Sequence, residues 1–484
     1  MRKITRRRVL AGAAAIATSA LAPLKAFAQR RLVMNDASGL SATPVFSHWV
    51  ARSDGEAEFI ARLRSELKGA AAQKRPVCVG AARHSMGGQS LPRNGSAITF
   101  DINRCEPDRA AKTYRVNAGT RWFEVIDHLD KIGFSPAVMQ SNSDFSVAAT
   151  FSVNAHGWPT PYGPFGATVR SFRMMMADGS IVTCSRKENS ELFSLMMGGY
   201  GMCGIILDLD VDMVENLLVR PTHEAMPAEE FSKRFVAAIE KDPNVKMAYG
   251  RLNVSKKTFF QEALLITYRP EPVQPNPLPA SDRGAGAMAG FANRIYRGQV
   301  GSEDIKGLRW YLETTANPAI SSGVSTRSSL MNWPVSNLRQ LDHRRTDILH
   351  EYFVAPERFN EFVRGCRDII PKGRAEFLNV TLRYVLQDDT SVLSFAKTNR
   401  IASVMSFSQE LTAAGEEDMI RTTEALIDLV ASIGGSFYLP YRLHARNDQV
   451  HQIYPNAARF IERKRHYDPG LLFRNAMWDT YFAA

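Results

Sequence analysis

The stretch whose residue types most directly suggest chemistry is Val77-Cys78-Val79-Gly80-Ala81-Ala82-Arg83-His84-Ser85-Met86-Gly87-Gly88-Gln89-Ser90. A short apolar run turns into a loop of small residues, which leaves backbone N–H groups unshielded. Such donors form an anion nest suited to a pyrophosphate. His84 sits in the middle and is followed by Ser85. The alternative is a plain strand-to-strand loop with a surface histidine. A second run of small and polar residues, DFSVAATFSVNAHG, covers Asp144 to Gly157. A third, Gly199-Tyr200-Gly201-Met202-Cys203-Gly204, matches the GxGxxG spacing of dinucleotide-binding turns.

The elements around these runs decide how to read them. A dinucleotide fingerprint needs a strand before the glycines and a helix after them. Here a helical segment, Ser190 to Met197, comes first, and a strand, Ile205 to Met213, follows. The order is reversed, so the turn instead lets backbone approach a ligand. Val169 to Ser185 reads as strand, Asp-Gly turn and strand. Residues 45–72 start as a strand and continue as a helix with Phe59, Ile60, Leu63 and Leu67 on one face. Ile98–Ile102 and Tyr114–Gly119 read as short strands. Trp122 to Ile132 reads as an amphipathic helix with Phe123, Ile126, Leu129 and Ile132 inward. Phe377–Val385 reads as a strand and Glu416–Ile433 as a helix, and another helix ends before Asp468-Pro469. The proline-rich run Tyr268–Pro279 is incompatible with regular structure. The Gly/Ala-rich run up to about Gly301 reads as a long mobile excursion, either a lid or a plain surface loop. Short strands alternating irregularly with helices make the chain α+β.

The ordered set of motifs, namely the His84 loop, Asp144–Gly157, the Val169–Ser185 hairpin, NSELF at Asn189–Phe193 and the Gly-rich turn before Ile205-Ile206, resembles the PCMH-type FAD-binding domain of the vanillyl-alcohol oxidase family. VTCSRKENSELF looks most like the cytokinin-dehydrogenase-like branch. The resemblance covers roughly residues 45–215 and 436–482. It implies a two-subdomain FAD-binding domain over 42–216, an α+β substrate or cap domain over 217–435, and a C-terminal segment, 436–484, that returns to the first domain. Carried over by position, the FAD contacts are Ala81, Ala82, Arg83, His84, Ser85, Gln89, Ser146, Ser152, His156, Ile206, Tyr438 and Asn475. His84 is the position that carries FAD covalently in the family. Residues 139–146 hold no cysteine for a second link. Two departures stand out. Arg83 replaces the glycine that usually precedes the histidine. Ser141 stands where cytokinin dehydrogenases have a catalytic aspartate, with Asp144 out of register. The lactone and polyol oxidases of the family imply catalytic roles for Arg383, on a cap-domain strand, and for His444 and Arg446 in the return segment.

Composition bounds the rest. The 484 residues exceed what one core usually serves. Six basic residues and no acids lie in residues 1–28, so the net charge of +11 falls to +5 for the remainder. There is no basic stripe with interleaved aromatics, and nucleic acid is not an expected partner. Thr5-Arg6-Arg7-Arg8-Val9-Leu10, an Ala-rich run and Ala26-Phe27-Ala28 resemble a twin-arginine signal peptide spanning residues 1–28. That signal predicts a periplasmic or secreted protein without a membrane span. The five cysteines are too scattered for a disulfide framework. His444 and His451 lack the pairing of a zinc site, and no metal is expected. No Gly-x-Ser-x-Gly elbow suggests a hydrolase. The expectation is an exported FAD-dependent oxidoreductase that moves a hydride from a CH–OH or CH–NH substrate to the flavin, with dioxygen or another acceptor reoxidising it. An alcohol or lactone oxidase and an amine dehydrogenase both remain open. So does a non-catalytic flavin- or ligand-binding protein of the same fold.

Overall fold

The computed structural model describes residues 32–483 apart from 53–54, 285–286, 321–322, 339 and 341. The signal-peptide reading of residues 1–28 lies outside the described residues. Helices and sheets are mixed throughout, as the α+β expectation requires. Three parallel strands form the smallest site-bearing sheet: Ser47–Ala51, Ser96–Phe100 at its centre, and Val77–Gly80. Helix Glu56–Ala72 joins the first strand to Val77–Gly80 and buries Phe59, Ile60, Leu63, Leu67 and Ala70. These residues share one helical stripe, so the sequence periodicity sets which face meets the sheet.

An antiparallel sheet follows, in the order Ile181–Ser185, Val169–Met175, Ile205–Glu215, Thr113–Asn117, Cys105–Asp108. Ile205–Glu215 is central, and its first five residues are all buried. The glycine turn before it is preceded by helix Ser190–Met196, the reverse of a dinucleotide-binding βα turn. Helix Trp122–Asp130 stops two residues short of the predicted end and buries Trp122, Val125, Ile126 and Leu129. Phe123 and Ile132 are only half-buried.

The third sheet is larger. Its eight strands run Ser325–Thr326, Leu218–Pro227, Glu262–Pro270, Met247–Leu252, Glu376–Val385, Arg400–Glu410, Arg345–Val354, Ser436–Phe437. Helices Ala228–Glu240, Phe359–Ile369 and Ala413–Ser432 pack against it. Alternation along Glu376–Val385 fixes which side each residue serves. Tyr384 meets Phe235 of the first helix edge-on at 6.1 Å between ring centres. Arg383 therefore points to the opposite face. Gly250 belongs to the helix side: a Cβ there would lie 2.2 Å from the Phe231 ring.

Two readings of the segment after Tyr268 need correction. Tyr268, Arg269 and Pro270 complete strand Glu262–Pro270, because a proline at a strand end removes no ladder bond from the interior. The run up to Gly301 contains helix Ala287–Gly298, followed by Glu303–Tyr311. Alanine's helix propensity outweighs the scattered glycines there.

Candidate functional site

The loops of the two smaller sheets, one face of the large sheet and the C-terminal segment enclose a cleft of about 1650 Å³, counted out to its mouth. Its lining runs from the first loop across the large sheet to the C-terminal segment, an extent that suits a long cofactor. All twelve residues carried over as FAD contacts line it: Ala81, Ala82, Arg83, His84, Ser85, Gln89, Ser146, Ser152, His156, Ile206, Tyr438 and Asn475.

The floor is the loop after Val77–Gly80. The amides of Ala82, Arg83, His84 and Ser85 have no acceptor among the described residues. Four free donors in succession form the predicted nest. Arg83 adopts φ +53°, a left-handed backbone that explains the preference for glycine at this position. Its guanidinium turns back onto the neighbouring strand and donates to Thr99 Oγ1 at 2.7 Å and the Ile98 carbonyl at 3.3 Å. His84 packs on Phe145 with ring centres 4.5 Å apart. Burial lowers its pKa and keeps the imidazole neutral.

Several lining side chains spend their polar atoms on the protein. Gln89 accepts from Gly87 N at 2.9 Å and donates to the Leu439 and Tyr441 carbonyls at 2.9 and 3.0 Å. Asn475 donates to the carbonyls of Gln89 at 2.9 Å and Tyr200 at 3.2 Å. Ser146 caps helix Val147–Ser152, and Tyr438 donates to the Val153 carbonyl at 2.7 Å. These contacts stitch the return segment to the first loop. Cys78, also in the wall, is a buried thiol pushed up to about 12 by desolvation.

The large sheet contributes Arg383, 8% exposed, from Glu376–Val385. It donates to the His156 carbonyl at 3.0 Å and to Ser141 Oγ. The serine at the cytokinin-dehydrogenase aspartate position is thus a partner of Arg383. Asp144 is engaged elsewhere and accepts from Val335 N. His444 and Arg446 do not line the cleft. The return segment crosses it at Tyr438–Tyr441 and then leaves to pack on helix Ala413–Ser432. There His444 meets Glu416 at 2.9 Å, and Arg446 pairs with Asp428 and Asp448 at 2.9 and 3.2 Å.

The sequence reading missed Glu351 and Tyr441. Glu351, 3% exposed, is the one carboxylate in the described lining. His156 Nε2 donates to its Oε1, and the Tyr441 hydroxyl donates to its Oε2 at 3.0 Å. Burial works to raise this carboxyl, yet His156, Arg383 and Tyr441 together hold it below the ordinary range. Burial lowers His156 and leaves it a neutral donor. The signal was present as one acid inside the largely apolar second half of strand Arg345–Val354.

Comparison with known proteins bears on the floor of this cleft. Residues 56–185 match the model of a family described as FAD binding domain. This part of the chain is similar to FAD-binding domains. Its matched span holds the His84 loop and the Asp144–Gly157 run, whereas Glu351, Arg383 and the return segment lie outside it. Cytokinin dehydrogenase 1 of Arabidopsis thaliana is 32% identical over 128 residues, covering 25% of this chain and 22% of that protein. Cytokinin dehydrogenase 8 of Oryza sativa subsp. indica is 30% identical over 120 residues, 24% of this chain and 23% of that protein. A Neurospora crassa protein named as a D-arabinono-1,4-lactone oxidase is 27% identical over 130 residues, 27% of this chain and 21% of that protein. The chain thus aligns with roughly a fifth to a quarter of each relative's length. Among the described residues no helix is long and apolar enough to cross a membrane, and no group of three or more His, Cys, Asp or Glu could hold a metal.

Proposed function

We propose that this protein is an exported FAD-dependent oxidoreductase that oxidises a small molecule at a CH–OH or CH–NH carbon and passes the electrons to dioxygen or another acceptor. Residues 1–28 would be the twin-arginine signal, removed after Ala28. The two smaller sheets and their loops would be the halves of the FAD-binding domain, over 42–216. The large sheet would be the substrate domain, over 217–435, with 436–484 returning to the first. The observation that carries the reading is one cleft whose floor is the FAD-binding domain and whose roof is a charged face of a different sheet.

The residues fit the cofactor. The free amides of Ala82 to Ser85 would hold a pyrophosphate, charge-assisted by the nest geometry. FAD, when bound, supplies a two-electron acceptor for a hydride. His84, neutral and held against Phe145, would carry the flavin covalently. Arg83 does not obstruct this role, because its side chain folds back on the strand. Arg383 and Ser141 would meet the substrate's polar end, and the apolar remainder of the wall would exclude water.

The test is anaerobic flavin bleaching of the purified protein with alcohols, polyols, lactones and amines. Bleaching by any of these, restored by air or an added acceptor, is the expected result. A bound flavin that dithionite reduces but no organic substrate does would favour the non-catalytic binding protein.

A further inference from the structure

We infer that Tyr441 and Glu351 form the proton-accepting pair of this cleft, and that its substrate is an alcohol and not an amine. The inference rests on the oxidoreductase reading and names the substrate class of the same site.

Tyr441 comes from the return segment, Glu351 from strand Arg345–Val354 and Arg383 from Glu376–Val385, and all three line the cleft. Holding the Glu351 carboxylate dry is expensive, because a buried charge must be fully hydrogen-bonded to be tolerated. Here the carboxylate takes a third contact, from a half-buried phenol that faces the cavity. Tyr441 therefore has an occupied donor on one side, with its oxygen lone pairs left to accept from a cleft molecule. Burial, with Glu351 beside it, pushes the phenol far above its usual range, so it stays protonated and serves as a relay.

The charge arrangement selects the substrate. Arg383 Nε is buried without a partner, and the one carboxylate charge it feels, that of Glu351, is neutralised once Glu351 takes the proton. An alcohol losing its hydroxyl proton gains negative charge on oxygen, which this guanidinium stabilises. An amine losing a hydride gains positive charge on its way to an iminium, which the same guanidinium opposes.

The step balances. The substrate O–H proton moves to the Tyr441 oxygen, and the Tyr441 proton moves to Glu351 Oε2. FAD, when bound, would supply the two-electron acceptor for the C–H hydride, so that the C–O bond becomes a carbonyl. Glu351 ends as a neutral acid.

The experiment compares the wild-type holoenzyme with Tyr441→Phe and Glu351→Gln. Rapid-mixing flavin reduction is followed with xylitol, D-glucitol, benzyl alcohol, benzylamine and N6-isopentenyladenine. The inference expects an alcohol to reduce the flavin faster than either nitrogen compound. Tyr441→Phe should keep its FAD content, its melting temperature and its alcohol binding constant within about twofold. Its limiting reduction rate should fall by about 100-fold or more, the usual range for a lost general base. A merely structural role would move melting and FAD content instead. Glu351→Gln should show the same rate loss if it folds, and Tyr441→Phe alone decides if it does not. Faster reduction by the amines, or an unchanged rate in Tyr441→Phe, overturns the inference while leaving the oxidoreductase reading intact. A flavin that no member of the panel reduces, though dithionite does, overturns both.

Discussion

Lowering the pH from 7 to 5 should destabilise the fold through His350. This side chain is 3% exposed, with Nδ1 at 3.1 Å from the Tyr352 hydroxyl and Nε2 at 3.2 Å from Thr423 Oγ1. Its ring packs on Phe407 at 4.8 Å between centres. Burial, with the charge of nearby His444 adding to it, holds its pKa down to about 3 from the ordinary 6.5. The unfolded chain therefore binds a proton here between pH 6.5 and 3 and the folded chain does not. Stability is greatest above pH 6.5 and is lost as the pH falls toward 3. At 1.36 kcal/mol per pKa unit the loss is about 2 kcal/mol at pH 5, with a ceiling near ~5 kcal/mol below pH 3. Urea titration of wild type and His350→Gln at pH 7 and pH 5 isolates the effect, because other titrating groups cancel in the double difference. The variant should lose about 2 kcal/mol less between the two pH values than the wild type. An equal loss in both would refute the reasoning, and so would a larger loss in the variant.

Three further outcomes are expected. Denatured wild-type protein should keep flavin fluorescence on a gel, and His84→Ala should lose it while still folding; free FAD released from the wild type by acid would exclude the covalent link. Arg83→Gly should be more stable than Arg83→Ala by about 1 kcal/mol, the cost of a left-handed backbone for a residue with a Cβ; equal unfolding midpoints would show that the φ of +53° stores nothing. Lys464→Met should cost about 3–5 kcal/mol, because it strands the Asp468 charge, whose Lys464 partner is fully buried. Asp468 also accepts from Leu472 N and Phe473 N, so that variant should bind FAD less tightly, as read by flavin retained on gel filtration.

The floor of the cleft was legible in the sequence because its chemistry is local. Small residues from Gly80 to Gln89 expose consecutive amides whatever else the chain does, and the helix-before-strand order around Gly199–Gly204 excluded a dinucleotide turn without coordinates. The left-handed Arg83 was legible only as a departure from the glycine usual before the histidine, since a backbone angle is not written in residue types. The roof was harder. Glu351, Arg383 and Tyr441 converge from segments separated by up to 90 positions, and strand parity alone decides which of Leu382, Arg383 and Tyr384 faces inward. His444 and Arg446 show the same difficulty in reverse. They lie three to five residues past Tyr441, far enough for the segment to have turned onto helix Ala413–Ser432. The Ala-rich stretch after Pro279 was read as excursion because glycine and proline were weighed above alanine.

The stitching by Gln89 and Asn475 bears on timing. The loop that begins at Gly80 is pinned at Gln89 by Leu439, Tyr441 and Asn475, which follow 350 to 386 residues later. A ribosome that has finished the first half of the chain has made the nest and the floor of the cleft, but not the wall that carries Glu351, Arg383 and Tyr441. The cleft is therefore complete only when the last fifty residues have found their place.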